Sequence, residues 1–400
     1  MKTSFGVPDA DHPYGRMRLP APRAKHPSTR SRRRGNGCDR AGGQDSDARL
    51  PKLLTAVRRL SKAARQYDTS LYFQVKRFRR LHDEWLFSLN DALFWGLTDP
   101  ALPEDTLGSY MSREASSRLR ARVNAREDLA SVNDKARFYR ICLEARLAIP
   151  ETFGVISAFA PTHRQTDPQT PRIDIGSLPD GSFVAKPAWG MKGKGIRFFE
   201  KAGPVFLVGG KSMDAESLRA VLENEEPPDD FIVQRRVLPH PSLEAISGSK
   251  AVQSARIVTF LDSDNRPHVL FTRFKIVRRG IDVDNFANGE TGNMVADVEI
   301  ETGQITKVLM KPPFQIGLRA VTHHPDTGKD LLFALPDWQQ AIQLAHEGAR
   351  AFPRLRSLAW DIALTPEGPV ILEANQEWEI FPIGPYRRPL PREDWELLIR

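Results

Sequence analysis

Cysteine is scarce in this chain, and long apolar runs are missing. Its 400 residues contain only two cysteines, Cys38 in a polar stretch and Cys142 in a helical pattern. Cysteines so far apart and in such different settings exclude a disulfide framework and indicate a reducing compartment. No apolar stretch is long enough to cross a membrane, and the first residues lack the apolar core of a secretory signal. The sequence therefore predicts a cytoplasmic protein without a transmembrane segment.

Acidic residues are outnumbered mainly near the N-terminus. The chain has a net charge of +8, and residues 1–50 supply +6 of it, from eleven Lys or Arg and five Asp. This segment is poor in large apolar residues, which predicts a disordered basic tail. The tail fits contact with RNA or an anionic membrane, but a solvated segment or a misassigned start codon is favoured. Because no nucleic-acid-binding fold is recognisable, we expect no specific nucleic-acid partner.

The chain also lacks a nucleophilic triad signature and a Walker phosphate loop. Its most informative stretch is SLAWDIALTPEGPVILEANQEWE, near the end. Two runs with strand composition flank a turn, which predicts a β-hairpin. If the loop has three residues and is closed by Gly368, Thr365 lies opposite Pro369 and Asp361 lies opposite Glu373.

The same register places Ala359 opposite Asn375, so Asp361, Glu373 and Asn375 share one face of the hairpin. Two facing carboxylates repel unless a cation lies between them, and oxygen ligands with an amide suit Mg²⁺ better than zinc. A two-residue loop would instead shift the register and separate the acids. The pattern alone leaves a magnesium site and a solvated outer face equally open.

A second polar element lies upstream in SFVAKPAWGMKGKGIRFFE. Strands are predicted over Phe183–Lys186 and Ile196–Phe199. The loop between them is rich in glycine and lysine: Gly190, Gly193, Gly195, Lys192 and Lys194. Glycines let a backbone approach phosphate closely, and lysines, including Lys186, offer charge to its oxygens. A mobile exposed hairpin fits the loop as well and is slightly favoured on the loop alone.

A third stretch, DDFIVQRRVLPHPSLEAI, predicts a strand over Phe231–Gln234 that passes into an extended linker. Such an edge presents backbone N–H and C=O groups to a planar base, although an interdomain connector has the same pattern.

Helical periodicity marks two other regions. Residues 50–148 repeat apolar positions at helical spacing with basic residues between them, and packing within their own domain is favoured over a membrane surface. Within this region a helix from about Asp134 to Leu147 is expected, capped by Ser131 or Asn133. A further amphipathic helix is predicted over Trp338–Ala351.

Taken in order, these stretches resemble a known superfamily. The order is NDKARFYRICLEARLAIPETFG, FVAKPAWGMKGKGI, FIVQRRV, ARIVTFLD, VDNF with ETG, THHPDTG and AWDIALTPEGPVILEAN. It is similar to the ATP-grasp superfamily, and most similar to its sugar-transfer associated branch, which is related to α-L-glutamate ligase-like proteins. The resemblance implies an α+β ATP-grasp fold whose two lobes clamp ATP. We expect a basic tail over 1–50, a helical region over 51–130, the ATP-grasp domain over 131–385 and a C-terminal tail over 386–400.

The resemblance also implies nucleotide and metal ligands along the domain. Phosphate contacts are expected from Lys135, Lys186 and the loop of Gly190, Gly193 and Gly195. The adenine hinge corresponds to Gln234, Arg235 and Val237, with the Arg235 carbonyl and the Val237 amide facing the base. Glu244 is expected at the ribose and Arg256 at the terminal phosphate. The Mg²⁺ ligands correspond to Asp361, Glu373 and Asn375.

Such enzymes phosphorylate a carboxylate with ATP, and an amine or similar nucleophile then displaces the phosphate. The implied function is an ATP- and Mg²⁺-dependent ligase in polysaccharide or peptide-like metabolite biosynthesis. Asp284 and Asn285 lie where the acceptor is expected, and Arg279 or its neighbour Arg278 is suited to an acyl phosphate. A charged turn and an Asx turn are at least as compatible with these residues. A kinase with the same clamp and a nucleotide-binding protein without turnover remain alternatives.

Several positions depart from the family pattern. Ala359 stands where several ligases have an arginine, so oxyanion stabilisation must come from elsewhere. Residues 376–379 replace small residues, which predicts an altered acceptor pocket, and Ala287 replaces a histidine. His323 and His324 invite a zinc interpretation, but a proline follows them and no third ligand is suitably spaced, so a polar turn is favoured.

Overall fold

The structure is a computed structural model that describes residues 49–157, 165–190, 193–223 and 229–378. Nearly all of the predicted basic tail, with Cys38, and the whole predicted C-terminal tail lie outside the described residues. The chain divides into two compact units. The first runs to Leu93 and includes Leu97–Ser112, and the second comprises Phe94–Gly96 and the chain from Arg113. No helix within the described ranges is long and apolar enough to cross a membrane.

The first unit is helical in its described residues. It contains α1 (Arg49–Gln66), α2 (Leu71–Trp85), most of α3 (Leu89–Phe94) and a 3₁₀ turn at Glu104–Ser109. Leu60 and Ala63 of α1 are buried, whereas Leu53 and Leu54 near its start are 61% and 62% exposed. The apolar stripe of α1 therefore packs within the unit only along its second half.

The second unit combines helices with two antiparallel sheets. Its α-helices in the described ranges are α4 (Arg113–Val123), α5 (Ala130–Asn133), α6 (Lys135–Glu144), α7 (Ala215–Glu223), α8 (Pro241–Ser247) and α9 (Trp338–Ala351). Short 3₁₀ turns lie at Arg126–Asp128, Ile175–Ser177 and Ala287–Gly289. This mixture of helices and antiparallel sheets confirms the predicted α+β class.

Each sheet has a defined strand order. The six-stranded sheet runs β1 (Thr152–Ile156), β6 (Phe231–Arg235), β2 (Gly181–Pro187), β3 (Arg197–Ala202), β4 (Val205–Val208) and β5 (Lys211–Met213). The seven-stranded sheet runs β11 (Arg319–Val321), β10 (Ile305–Met310), β9 (Met294–Val298), β8 (Pro267–Ile276), β7 (Ser254–Leu261), β12 (Ser357–Thr365) and β13 (Gly368–Asn375). The strands predicted on either side of the glycine loop and before the hinge are confirmed as β2, β3 and β6.

Alternation along the strands gives the seven-stranded sheet one apolar face and one polar face. Phe274, Trp360 and Ile362 belong to a buried cluster that also contains residues of α6 and α9. Their neighbours Lys275 and Asp361 therefore project from the opposite face. The six-stranded sheet forms a second apolar cluster with α7, while its residues Val155 and Ile232 belong to the first cluster.

The closing hairpin has the predicted pairing but not the predicted loop. Thr365 lies opposite Gly368, so the loop has two residues, and the predicted pair of Thr365 with Pro369 is wrong. The register then shifts between Ile362 and Asp361, because Leu372 forms a β-bulge, and Asp361 lies opposite Glu373 after all. The bulge compensates for the shorter loop and returns the two carboxylates to facing positions.

The helix ends show one confirmed boundary and one correction. The predicted helix Trp338–Ala351 is confirmed residue for residue as α9. At the start of α6, however, Asp134 is the cap, and its carboxylate accepts hydrogen bonds from the backbone N–H groups of Ala136 and Arg137. The predicted caps Ser131 and Asn133 were therefore wrong. The same carboxylate also accepts the Asp167 amide at 2.8 Å, a contact between distant parts of the chain.

Candidate functional site

The polar face of the seven-stranded sheet carries a buried ion triad. Asp361 on β12 lies directly opposite Arg256 on β7, and its carboxylate accepts hydrogen bonds from Nε and Nη2 of Arg256, both at 2.8 Å. Lys275 on β8 donates from Nζ to Oδ2 of Asp361, also at 2.8 Å. Because Asp361 is only 2% exposed, the two cations replace the hydration that its carboxylate loses.

The charges of this triad decide its protonation. Burial is the largest influence on Asp361 and raises its pKa, but the charges and hydrogen bonds of Arg256 and Lys275 together hold that pKa well below the usual range. Burial is also the largest influence on Lys275, where it lowers the pKa. The charges of Asp284 and Asp361 outweigh this effect, so the pKa of Lys275 is raised overall. The protein's own cations therefore offset the charge of Asp361 beside Glu373.

Asp284 joins the triad, whereas its neighbour does not. Nζ of Lys275 lies 3.5 Å from Oδ1 of Asp284, and Oδ2 accepts hydrogen bonds from the Ser254 amide, at 2.9 Å, and from the Ser254 hydroxyl. Oδ1 of Asn285 instead accepts the Ala287 amide at 3.0 Å, which closes an Asx turn. Of the two residues expected at the acceptor, only Asp284 is brought to the ion triad.

The outer strand of the hairpin carries the remaining predicted metal ligands. Glu373 and Asn375 are half-buried, and Nδ2 of Asn375 donates to Oε1 of Glu373 at 3.1 Å. Oε2 of Glu373 and Oδ1 of Asn375 are the kind of oxygens that Mg²⁺ takes together with water and phosphate. Within the described ranges, no group of three or more His, Cys, Asp or Glu side chains is placed to share a metal. The donor set thus fits Mg²⁺ held by one carboxylate, one amide and a phosphorylated ligand, with Asp361 engaged by its two cations.

Two lysines approach the same region from other elements. Lys135 begins α6, and its Nζ donates to the Gly190 carbonyl. Lys186 on β2 lies with Nζ 3.5 Å from the Tyr139 hydroxyl and 5.9 Å from the centre of its ring. In the described part of the chain neither lysine has a carboxylate within salt-bridge distance.

Burial is the largest influence on both lysines and lowers the pKa of each, that of Lys186 to about 8. The charge of Glu373 acts on both in the opposite direction. A half-buried ammonium group without a carboxylate partner is a good receptor for an anion, because the anion restores the compensation that burial removes. Lys135 and Lys186 therefore form a candidate anion site within electrostatic range of Glu373.

The predicted hinge follows β6 out of the six-stranded sheet. Gln234 is fully buried, and its Nε2 donates to the Thr152 hydroxyl at 2.8 Å. The Arg235 side chain lies against the six-stranded sheet, with its guanidinium 4.6 Å from the centre of the Phe183 ring and its Nε 3.1 Å from Oε2 of Glu151. Only the backbone of Arg235 is thus suited to the hinge. Among the described residues, none accepts a hydrogen bond from the Val237 amide, so this N–H remains available as a donor.

Along the chain, the glycine loop precedes this hinge and Glu244 follows it. Gly190 donates its amide to the Pro187 carbonyl at 3.3 Å, while Gly193 and Gly195 both have φ of +72°, which favours glycine. Met191 and Lys192 lie outside the described residues. Glu244 is half-buried in the first turn of α8.

Arg278 and Arg279, which follow β8, contact Asp326 and not the ion triad. Arg278 makes two hydrogen bonds of 2.6 Å to the Asp326 carboxylate, and the Arg279 amide donates to the same group at 2.9 Å. The Arg279 side chain is exposed beside Gly248, outside the ion triad. Buried His324 bonds through Nε2 to the Val277 carbonyl at 2.9 Å, so the favoured polar turn is observed at the histidine pair.

Two residues of this site, Lys275 and Tyr139, are not predicted as site residues from the sequence. Alternation gave a signal for Lys275, since it lies two residues after Arg273 on the same strand face. Tyr139 lies four residues after Lys135 and therefore on the same side of α6. Both residues contact partners distant in the chain, which a local pattern does not show.

The departures from the family pattern also have a place in the structure. Ala359 is fully buried opposite Asn375. Positive charge comes instead from Arg256 on β7 and Lys275 on β8, which contact Asp361 two residues farther along β12. Trp378 is fully buried, with its ring centre 5.9 Å from that of Phe271. Among the described residues that follow Asn375, Trp378 thus packs against the sheet, whereas Glu377 is exposed.

The two antiparallel sheets, with lysines, a glycine loop and an acidic hairpin in this order, define an ATP-grasp protein. Residues 114–384 match the family model for sugar-transfer associated ATP-grasp proteins. The chain belongs to that family, which confirms the resemblance noted from the sequence.

Several solved structures are similar to this chain at low sequence identity. One is an ADP complex of N5-carboxyaminoimidazole ribonucleotide synthetase, with 12% identity over 63% of this chain and 47% of that one and a TM-score of 0.34. Another is biotin carboxylase from Campylobacter jejuni with β-γ-ATP, with 10% identity over 65% and 43% and a TM-score of 0.38. A third is D-alanyl-alanine synthetase A from Vibrio cholerae, with 13% identity over 65% and 60% and a TM-score of 0.37. The chain thus spans less than half the length of the first two. A search of curated proteins finds no match.

Proposed function

We propose that this protein is an ATP- and Mg²⁺-dependent ligase that joins a carboxylate to an amine or similar nucleophile in polysaccharide or peptide-like metabolite biosynthesis. The observation that carries the proposal is the anion site of Lys135 and Lys186 beside the oxygens of Glu373 and Asn375. Two ammonium groups with pKa values lowered by burial suit the phosphates of ATP, and the oxygens suit the metal that accompanies them.

Residues of both sheets have parts in the proposed binding. The Arg235 carbonyl and the Val237 amide meet the adenine edge, and Glu244 meets the ribose. Lys135, Lys186 and the glycine loop hold the phosphates. When bound at Glu373 and Asn375, Mg²⁺ neutralises charge on the phosphate oxygens.

The proposed chemistry needs no side-chain nucleophile. An oxygen of the substrate carboxylate attacks the γ-phosphorus, and the bond from that phosphorus to the bridging oxygen of ADP breaks. The amine nitrogen then attacks the acyl carbon, loses a proton, and expels phosphate that carries the former carboxylate oxygen. We propose that Arg256 and Lys275 stabilise the negative charge of the transferring group. Arg256 uses only Nε and Nη2 for Asp361, which leaves its Nη1 for a phosphate oxygen, and Lys275 contacts the same carboxylate and Asp284.

Isotope transfer tests this reaction directly. The protein is incubated with MgATP, a panel of ¹⁸O-labelled carboxylic acids and a panel of amines. We expect ADP release that depends on both co-substrates, with one ¹⁸O atom in each phosphate formed. A stable phosphorylated product would identify a kinase, and nucleotide binding without turnover would identify a binding protein; either result contradicts the ligase.

Glu373→Gln tests the metal assignment with less ambiguity than changing Asp361. We expect this variant to lose most of the thermal stabilisation that Mg²⁺ adds to a non-hydrolysable ATP analogue, because it loses the only carboxylate of the proposed donor set that is not committed to a cation. Its melting temperature without ligand should change little. Glu367→Gln, in the loop of the same hairpin, is the matched control, and equal stabilisation of all three proteins would contradict the assignment.

A further inference from the structure

The bulge at Leu372 determines which side chain faces Asp361. With the observed two-residue loop, regular pairing would place Leu372 opposite Asp361. Glu373 would then project from the other face of the sheet. The extra residue restores the position of Glu373, so this hairpin needs the bulge if Glu373 is to serve the polar face.

A bulged residue leaves the ladder and needs another hydrogen-bond partner for its backbone. The Leu372 carbonyl has that partner, since it accepts a hydrogen bond from the Tyr139 hydroxyl. Tyr139 is 1% exposed, and burial, as the largest influence, raises its pKa. Its hydroxyl therefore stays protonated and acts as a donor to the carbonyl.

Tyr139 also contacts Lys186, one of the two lysines of the anion site. Its hydroxyl lies 3.5 Å from Nζ of Lys186, and its ring centre lies 5.9 Å from the same atom. Its position on α6 is four residues beyond Lys135, the other lysine of the site. The Tyr139 side chain thus contacts both Lys186 of the six-stranded sheet and the Leu372 bulge of the seven-stranded sheet.

We propose that Tyr139 is a positioning residue that holds the Leu372 bulge and thereby sets Glu373 and Lys186 in register for a metal–nucleotide ligand. This inference rests on the proposed function for the identity of the ligand. The positioning itself does not depend on the identity of the ligand, since the Tyr139 hydroxyl and the Leu372 carbonyl both belong to the protein. Tyr139 is not itself placed to contact a reacting atom.

Tyr139→Phe tests the inference, because phenylalanine keeps the ring and removes the donor. Hydrogen exchange of peptides covering Gly368–Asn375 is measured without ligand, and we expect at least about fivefold faster exchange than in the wild type, since the Leu372 carbonyl loses its partner. With an ATP analogue present, the Mg²⁺ concentration for half-maximal thermal stabilisation should rise at least about tenfold, as for other partners behind a metal ligand.

The matched control is Tyr67→Phe, which removes a hydroxyl from a half-buried tyrosine of the first unit. We expect neither readout to change in it. If Tyr139→Phe leaves both the exchange of β13 and the Mg²⁺ requirement at wild-type values, the inference is overturned. If wild-type protein shows no Mg²⁺-dependent stabilisation by nucleotide, the proposed function fails instead, and the exchange measurement still decides the positioning.

Deletion of Leu372 keeps the inference testable if Tyr139→Phe proves unstable alone. Without the extra residue, regular pairing brings Glu373 opposite Asp361, and no bulge needs an anchor. Tyr139→Phe in that background should then produce no further increase in exchange or in the Mg²⁺ requirement. An effect as large as in the wild-type background would contradict a role through the bulge.

Discussion

Replacing Asp361 with asparagine should destabilise the protein strongly even when no ligand is present. Its carboxylate is buried and makes three hydrogen bonds of 2.8 Å to two cations. Asp361→Asn keeps the shape but leaves the charges of Arg256 and Lys275 without their main compensation. Loss of one partner from a buried ion pair costs about 3 to 5 kcal/mol, so we expect the free energy of unfolding to fall by about that amount.

The pH dependence gives this prediction a sign. The pKa of Asp361 is depressed in the folded protein, so its contribution to stability is present above the unfolded pKa of about 3.9 and is lost as the pH falls through the folded value. The gap between wild type and Asp361→Asn should therefore be constant near neutral pH and shrink below about pH 4. Urea unfolding followed by tryptophan fluorescence at several pH values measures both quantities.

Asp326→Asn is the matched control. Asp326 makes a two-point pair with Arg278, but both side chains are partly exposed, at 20% and 30%, so water compensates for much of the loss. We expect it to cost about 1 kcal/mol. A cost for Asp361→Asn no greater than for this control, or a gap that does not narrow in acid, would refute the view that the triad is a buried, mutually compensated set.

Two further predictions concern the anion site and the end of the chain. Nucleotide affinity should fall as the pH rises through about 8, because Lys186 has its pKa lowered to about 8 and loses its positive charge there. Calorimetric titration at several pH values should show this fall in the wild type and not in Lys186→Met. The same fall in the variant would assign it to another group. Trp378→Ala should cost about 3 to 5 kcal/mol in urea unfolding, because it empties a fully buried site beside Phe271, and a cost below about 1 kcal/mol would contradict that packing.

Local chemistry made parts of this fold predictable. The helix α9 has a clear amphipathic pattern, and its limits agree with the sequence prediction. The choice of cap for α6 failed because Ser131, Asn133 and Asp134 all have suitable side chains. What distinguishes Asp134 is its second contact, to the amide of Asp167, which is fixed only when the chain folds.

The hairpin shows the same limit in another form. The prediction placed Asp361 opposite Glu373 through a three-residue loop, whereas the structure reaches this pair through a two-residue loop and a bulge. Nothing in the alternation of PVILEAN marks Leu372 as the extra residue. Lys275 was likewise visible as a basic strand residue, but its partner Asp361 comes from a strand much later in the chain.

The contact between α4 and the residue that follows the hairpin has a practical consequence. The Ser116 hydroxyl donates to the Trp378 carbonyl at 3.2 Å, and the Arg120 guanidinium lies 5.5 Å from the centre of the indole ring. This α-helix begins at Arg113, well before residue 131. An independently expressed fragment of the family region should therefore start no later than Arg113 and extend at least through Trp378, since a shorter one would expose an indole that the intact chain keeps from water.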